Sequence, residues 1–409
     1  MLAMTPPVAA SSATAGPHAV RAPAQLPLAR AGAAAGLIGS APASGGTGSF
    51  AAVSCASASA CTAVGSSNGA TLAERWNGKA WVVQKTPNEG GMAGVSSASA
   101  SAFAAVGSNA VTVAERWNGK AWAVEPTPTP GGAVNSWLSG VSCVSASACS
   151  AIGWYDTTEG GNLSLADYWN GMAWAIQPTP NPGGSGGSNG AANNLNGVSC
   201  TSASACTAVG YYFSTFITSP ATMAVRWNGT SWAVQPTPNP GGVGGPPNQA
   251  NILNGVSCTS ASACTAVGFY NAGWIGSNPN GTELTLAMRW NGKTWAVQST
   301  PNPTRAQNSS LAGVSCTSAS ACTAVESYTN SAGTLVALAE RWNGKAWTIQ
   351  KTPNPSGAQG NSLAGASCRC GICTAVGSYT NSTGTQVTLA ERWTGKVWVI
   401  QKTPNPTGT

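Results

Sequence analysis

The chain has 409 residues, of which 42% are apolar, only 7% are charged and 51 are glycine. That is enough apolar material for a large core. The weight of Gly, Pro, Ser, Thr, Val and Trp, with few helix formers left over, argues against a helical protein and for short strands joined by turns. The formal charge of +7 comes from 18 basic and 11 acidic residues with no run of Lys or Arg, which reads in sequence as a solvated surface and not as a nucleic-acid footprint.

Residues 1–49 are rich in Ala, Pro and Ser and form the first predicted segment, a disordered leader. No basic residue precedes its apolar part, and Pro6 and Pro7 interrupt it. Residues 1–16 resemble the tail of a signal peptide, with small residues around Ala10 and Ala15. A start upstream is therefore expected. Thirteen cysteines at regular positions place the chain in an oxidising compartment, so the sequence predicts a secreted, extracellular protein. No stretch approaches the ~20 apolar residues of a membrane helix.

From residue 50 to residue 409 the chain repeats itself. One unit reads Leu-x-Gly-Val-Ser-Cys, a small-residue turn, Cys-Thr-Ala-Val-Gly-x-Tyr, a variable loop, Leu-Ala-Glu-Arg-Trp-Asn-Gly-Lys-x-Trp-x-Val-Gln, then Thr-Pro-Asn-Pro. Seven units are marked by Cys55, Ser97, Cys143, Cys200, Cys258, Cys316 and Cys368, at intervals of 42, 46, 57, 58, 58 and 52 residues. Each holds four β-type runs, A to D. Seven four-strand meanders predict an all-β fold, a seven-bladed β-propeller of four-stranded antiparallel blades. The A and B runs are built from Ala, Val, Ser, Gly and Cys, whereas C and D carry the tryptophans, which matches a narrow axis and wide outer gaps. A β-solenoid is the competing architecture, disfavoured because antiparallel runs with tight hairpins do not coil as parallel rungs. Two ways of closing the ring stay open: packing and disulfides, or a strand from residues 37–50 added to the last blade.

Between runs A and B the cysteines form pairs: Cys55/Cys61, Cys143/Cys149, Cys200/Cys206, Cys258/Cys264 and Cys316/Cys322. The second unit has Ser97 and Phe103 instead, losing both partners together, as a disulfide requires. The spacing suits a bridge across a hairpin, each contributing about 2 kcal/mol by loop entropy. The seventh unit offers Cys368, Cys370 and Cys373; position favours Cys368/Cys373 and leaves Cys370 odd. A metal site is the weaker reading, since zinc needs converging pairs or a histidine and the one histidine is His18 in the leader. No metal and no cofactor is predicted.

The B-to-C loops and D-to-A connections carry all the length variation. From the Gly of run B to the first Trp the count is 11 in unit one and 22 in unit five. Loops on a rigid scaffold are where binding resides. Those of units three to five gather aromatics, and the candidate ligand-binding residues are Trp154, Tyr155, Tyr211, Tyr212, Phe213, Phe269, Tyr270 and Trp274, with Trp137 nearby. A Tyr at the second position after the Gly recurs as Tyr155, Tyr212, Tyr270, Tyr328 and Tyr379, which marks it as partly structural.

Runs C and D meet at Asn-Gly, a hairpin signal. Centred on Asn77-Gly78, a two-residue turn places Trp76 opposite Lys79 and Glu74 opposite Trp81, with the tryptophans on one diagonal and a Glu/Lys pair on the other. Packing between blades is the reading expected for such large aromatics. Glu-Arg-Trp-Asn-Gly-Lys-x-Trp also resembles the Glu-Arg-x-Trp-Asp-Gly-x-x-Trp hairpin of fucose-binding propeller lectins. That family has six blades with sugar sites between them, built from Arg, Glu and Trp. The resemblance implies sugar stacking at these hairpins. It covers about ten residues per repeat. The Glu stands one position nearer the Trp than in the lectins, which turns its carboxylate to the other face, and the lectin repeats lack the cysteine hairpin.

Catalysis finds little to work with. A single histidine in the leader excludes Ser-His-Asp and Cys-His arrangements, and the acids in the long loops that could serve glycoside hydrolysis are Asp156, Glu159 and Glu283. The sequence therefore predicts a non-enzymatic, secreted binding protein whose propeller rim takes a glycan or a protein or cell-surface partner. Neither nucleic acid nor membrane insertion is expected. The alternatives are a structural or adhesive repeat protein, or a glycan-processing enzyme of propeller fold.

Overall fold

In the computed structural model, described for residues 47–184, 191–214, 217, 219–243, 249–272 and 282–405, every regular element is a β-strand. The 28 strands form seven antiparallel meanders in chain order. In unit one, strands A to D are Gly48–Ser57, Ala60–Ser67, Ala70–Trp76 and Trp81–Val83. The first A strand pairs only with its own B strand, and no strand before Gly48 is among the described residues. Units three and four are joined by a single parallel bridge, Asn162 to Ala192, so the seven meanders make six sheets, one of them eight-stranded.

The A strands lie innermost and each touches the A strand of the next unit. Each carries a bulge that leaves one residue unpaired, as between Phe50 and Ala52 or between Leu253 and Gly255. The residue after the bulge must be small. A Cβ on Gly94 would stand 2.8 Å from the Cα of Gly140, one on Gly313 2.9 Å from the Cα of Gly365, and one on Gly365 3.2 Å from the Cα of Ala52. Only glycine or alanine permits this backbone approach.

Just beyond, the Ser of each Val-Ser-Cys or Ala-Ser-Cys run accepts a hydrogen bond from the backbone N–H at the cysteine position of the next unit. The bonds run from Ser97 to Ser54, Cys143 to Ser96, Cys200 to Ser142, Cys258 to Ser199, Cys316 to Ser257 and Cys368 to Ser315, at 2.9–3.0 Å. A seventh, from Cys55 N–H to Ser367 Oγ at 3.0 Å, joins unit one to unit seven. Six disulfides, Cys55–Cys61, Cys143–Cys149, Cys200–Cys206, Cys258–Cys264, Cys316–Cys322 and Cys368–Cys373, cross the A and B strands beside these bonds. Cys370 is free and exposed. In unit two, Phe103 fills the space of the missing bridge and is 2% exposed.

The C-to-D hairpin departs from the two-residue turn. Trp76 faces Trp81 directly, and Glu74 faces Val83. Asn77 does not adopt a positive φ; its side-chain carbonyl accepts the N–H groups of Lys79 and Ala80, both at 2.9 Å, and only Gly78 turns left-handed, at φ 93°. The asparagine acts as a turn cap. The loop is therefore four residues, 77–80, and the strand register moves by two, which keeps both tryptophans and Glu74 on one face but strands Lys79 in the turn. The ring pairs of the seven hairpins lie 5.7–5.9 Å apart and tilted by 42–54°. These geometries suit packing. Trp81, Trp122, Trp174, Trp232, Trp295, Trp347 and Trp398 are 4–7% exposed, which leaves these seven rings no open face for a sugar, while Trp117, Trp227 and Trp342 of the first position are half-buried.

The Thr-Pro-Asn-Pro run that follows strand D explains its own recurrence. Thr222 N–H donates to Asn239 Oδ1 at 2.7 Å and Thr222 Oγ1 to Thr237 at 2.8 Å, so the run folds back on the start of strand C. Ser164 with Asn181, Thr285 with Asn302 and Thr388 with Asn405 repeat the clamp. Prolines suit the position because this stretch needs no ladder donors.

Glu74, Asp167, Glu340 and Glu391 are 0% exposed, and neither carboxyl oxygen of any of them has a hydrogen-bond partner. The Glu/Lys pairing read from the sequence is absent, since the lysines sit in the turns. Units four and five hold Val225 and Met288 at this place, both 0% exposed, so the pocket is an apolar one. Desolvation pushes Glu74, Glu340 and Glu391 up from 4.5 to about 8. The folded state then holds protons that the unfolded chain releases above its lower value, and stability falls as pH rises from 4.5 towards 8. The melting temperature measured at about pH 5 is expected to exceed that at about pH 8.5, and Glu74→Gln, Glu340→Gln and Glu391→Gln together should flatten the profile. An unchanged slope in the triple variant would assign the effect to other groups.

Candidate functional site

The two ends of the molecule are built differently. At one end the C-to-D turn rests on the A-to-B turn of its own unit: a Cβ on Gly78 would meet Ser59 at 3.2 Å, and on Gly344 would meet Ser320 at 2.9 Å. At the other end lie the B-to-C loops and the D-to-A connections. In units three and four these connections are pinned by buried asparagines. Asn193 Oδ1 accepts from Gly183 N–H at 2.7 Å while its Nδ2 donates to the carbonyls of Asn162 and Gly184. Asn251 does the same for Gly241, Gly242 and Pro220. Both are 0% exposed. Sequence reasoning passed over these two residues, although an Asn two or three places before the Leu of run A recurs in units three to seven, as Asn135, Asn193, Asn251, Asn308 and Asn361.

The aromatic candidates fall into two groups. Tyr155, Tyr212 and Tyr270 pack against the cores of units three, four and five, and Phe269 is 8% exposed. These four belong chiefly to the scaffold. Trp154 and Trp137 face each other across strands A and B and stack at 4.0 Å with 24° between their planes, both half-buried. Beside them Asn135 Nδ2 donates to Asp156 Oδ2 at 3.3 Å. Tyr211 pairs across strands with Asn194 and Thr222, and Phe213 with Ala192, each half-buried. Trp274 lies outside the described residues. The structure thus brings Trp137, Trp154, Asn135 and Asp156 together, and disperses the others along the neighbouring units.

A second feature of this end was legible only as a break in the repeat. Strand B has Gly65, Gly107, Gly153, Gly210, Gly268 and Gly377 in six units, where a Cβ would lie 1.9–2.1 Å from a carbonyl oxygen of strand A. Unit six places Glu326 there. Burial pushes its carboxyl up to about 7, Ser310 donates a hydrogen bond to it, and Glu283 of unit five adds repulsion. Burial raises Glu283 as well. Between units six and seven lies a groove of about 410 Å³ lined by Thr334, Gln359, Asn361, Ser378, Tyr379 and Gln386 among others. Of the loop acids, Asp156 is engaged by Asn135 and Glu159 is exposed on a turn. No group of three or more His, Cys, Asp or Glu able to hold a metal occurs among the described residues.

No family model matches the chain, and no curated protein sequence matches it. Solved structures to which it is similar are β-propellers. The WD40 β-propeller domain of Doa1 is 9% identical, over 88% of this chain and 96% of that one, with a TM-score of 0.49. The SapL1 lectin in complex with α-methyl fucoside is 13% identical over 78% and 96%, TM-score 0.46. YCF48 from Cyanidioschyzon merolae is 14% identical over 88% and 96%, TM-score 0.46.

Replacing Glu326 by the glycine of the other units removes a desolvated carboxyl from a place built for no side chain. Glu326→Gly is expected to raise stability by about 1–3 kcal/mol, read as a higher melting temperature or denaturation midpoint. A lower midpoint would show that the carboxyl is held by favourable contacts.

Proposed function

We propose that residues 50–409 form a closed seven-bladed propeller behind a leader of residues 1–49, exported to an oxidising compartment, and that it binds a partner without catalysing a reaction. The seven serine-to-amide bonds, the last between units seven and one, support the ring. Six disulfides support the compartment. The observation that carries the site is the stacked, half-buried pair Trp137/Trp154 with Asn135 and Asp156 beside it, on strands A and B of unit three, at the end of the molecule where Asn193 and Asn251 pin the following connections. Rigid aromatics flanked by polar groups are the usual anchors of protein recognition. Their restriction to units three to five favours one dominant surface over repeated equivalent sites, as does the burial of the hairpin tryptophans. A protein or cell-surface partner is therefore the first reading, with Tyr211 and Phe213 extending the surface along units three and four.

A glycan is the second reading. It is favoured by the polar groove between units six and seven, whose size suits a small ligand and whose Tyr379, Asn361 and Gln386 offer a ring and hydrogen-bonding groups. The full chain should be screened on a glycan array and used for capture of cell-surface proteins. Trp137→Ser with Trp154→Ser should weaken partner capture at least about tenfold, as loss of a central aromatic anchor does, with an unchanged melting temperature. Glycan binding abolished by Tyr379→Ala but untouched by the tryptophan variant would move the site to the groove, and capture unaffected by either variant would sink both placements.

A further inference from the structure

The end opposite the rim carries charge of one sign. Lys79, Lys120, Lys293, Lys345 and Lys396 occupy the same exposed position of the C-to-D turn in units one, two, five, six and seven. Arg369, exposed on the A-to-B turn of unit seven, donates from Nε to Cys55 O of unit one at 2.9 Å and so lies at this end too. Units three and four have Met172 and Thr230 instead, Met172 being 84% exposed. In the ring proposed above, units five, six, seven, one and two are consecutive. The cations therefore form one unbroken arc, interrupted only where the sequence itself changes.

No carboxylate answers them. All eleven acidic residues are among the described ones. Glu74, Glu115, Asp167, Glu340 and Glu391 are at most 1% exposed, buried between units. Glu89, Asp156, Glu159 and Glu283 belong to the loops and strand ends of the other rim, Glu326 to the rim half of strand B, and Glu125 ends strand D of unit two. Behind the lysines a second tier of charge stands over aromatic rings of the next unit: Arg75 over Trp117 at 5.7 Å, Arg116 over Trp169 at 4.4 Å, Arg341 over Trp393 at 5.0 Å and Arg392 over Trp76 at 5.8 Å. The rings hold these guanidiniums in place. The A-to-B turns of units one to six each add a pair of serine hydroxyls, such as Ser57 with Ser59 and Ser318 with Ser320.

We propose that this end is a second binding surface, and that its partner is an acidic polysaccharide laid along the arc of C-to-D turns. A field of one sign concentrates a polyanion and speeds its arrival. Lysines on flexible stems make diffuse point contacts suited to a repeating carboxylate or sulfate. A single-stranded nucleic acid would need exposed rings on which bases stack, and the tryptophans here are buried or half-buried. A single turn lysine in each of five repeats hid the surface in sequence, where no basic run appears; the fold collects the turns at one end.

The test measures binding of the full chain to immobilised heparin and polygalacturonate against salt. The natural chain should bind both, more weakly as salt rises, because exposed charge is screened within ~10 Å at 0.1 M. Lys79→Ser, Lys120→Ser, Lys293→Ser, Lys345→Ser and Lys396→Ser together should weaken binding at least about tenfold at low salt with an unchanged melting temperature. Met172→Lys with Thr230→Lys, which extends the arc into units three and four, should tighten it. Lys85→Ser, Lys351→Ser and Lys402→Ser, which follow the D strands, should change nothing. Retention no better than on neutral dextran, equal loss in the Lys85, Lys351 and Lys402 variant, or tighter binding to DNA than to either polysaccharide would overturn the proposal.

Discussion

Everything in this molecule depends on how close the inner strands come to one another. A serine hydroxyl of each unit accepts the cysteine-position amide of the next, seven times over, and the strands can approach that closely only because a glycine or alanine follows each bulge. One bond of this kind contributes about 1 kcal/mol. Seven of them fix the angle and spacing between neighbouring units. In every unit but the second a disulfide beside them ties the A and B strands together, so that most donors and acceptors of these bonds sit on a stiffened hairpin.

From this inner constraint the outer gaps follow. Strands that nearly touch at the axis must diverge away from it, and the divergence is filled by the facing tryptophan pairs, by the arginines stacked on the next unit and, at three positions, by carboxyl groups held protonated near neutral pH. Trp81, Trp232, Trp295 and Trp347 also donate from Nε1 to a glutamine of the preceding unit, at 3.0–3.2 Å. With the interior so committed, variation is confined to the two ends. The loop end varies in length and chemistry. The turn end keeps its length except in the A-to-B turn of unit seven, which is one residue shorter, and otherwise differs chiefly in which units carry a lysine.

Much of the architecture could be read directly from the residues. The repeat spacing and the Trp-x-Gly-x-x-Trp hairpins give the seven meanders, and the small residues of the A runs fit the close approach of neighbouring A strands. What could not be read was register. Asn-Gly suggested a two-residue turn, but the asparagine side chain capped two amides and lengthened the loop, so a Glu/Lys pair imagined on one diagonal does not exist. The site was legible in part. Loop length and aromatic content pointed to units three to five, yet sequence cannot distinguish an aromatic that packs inward, such as Tyr212 or Phe269, from one such as Trp154 that stacks at the edge with a partner 17 residues earlier. Glu326 stood in view as a departure from glycine, but its meaning required knowing that a carbonyl lies where a Cβ would go. The lysine arc was invisible because one residue per repeat looks dilute until the repeats are superimposed in space.

The bridge between Asn162 and Ala192 gives the loop end a property that the other units do not share. It makes units three and four a single eight-stranded plate, and it does so where the chain leaves the longest connections. Two plates that hinge against each other lose freedom when a ligand spans them; one plate has that freedom removed in advance. The surface proposed above, from Trp154 to Tyr211, lies across the two units that this bridge ties together, and the tie reduces the freedom that a ligand spanning them would have to remove.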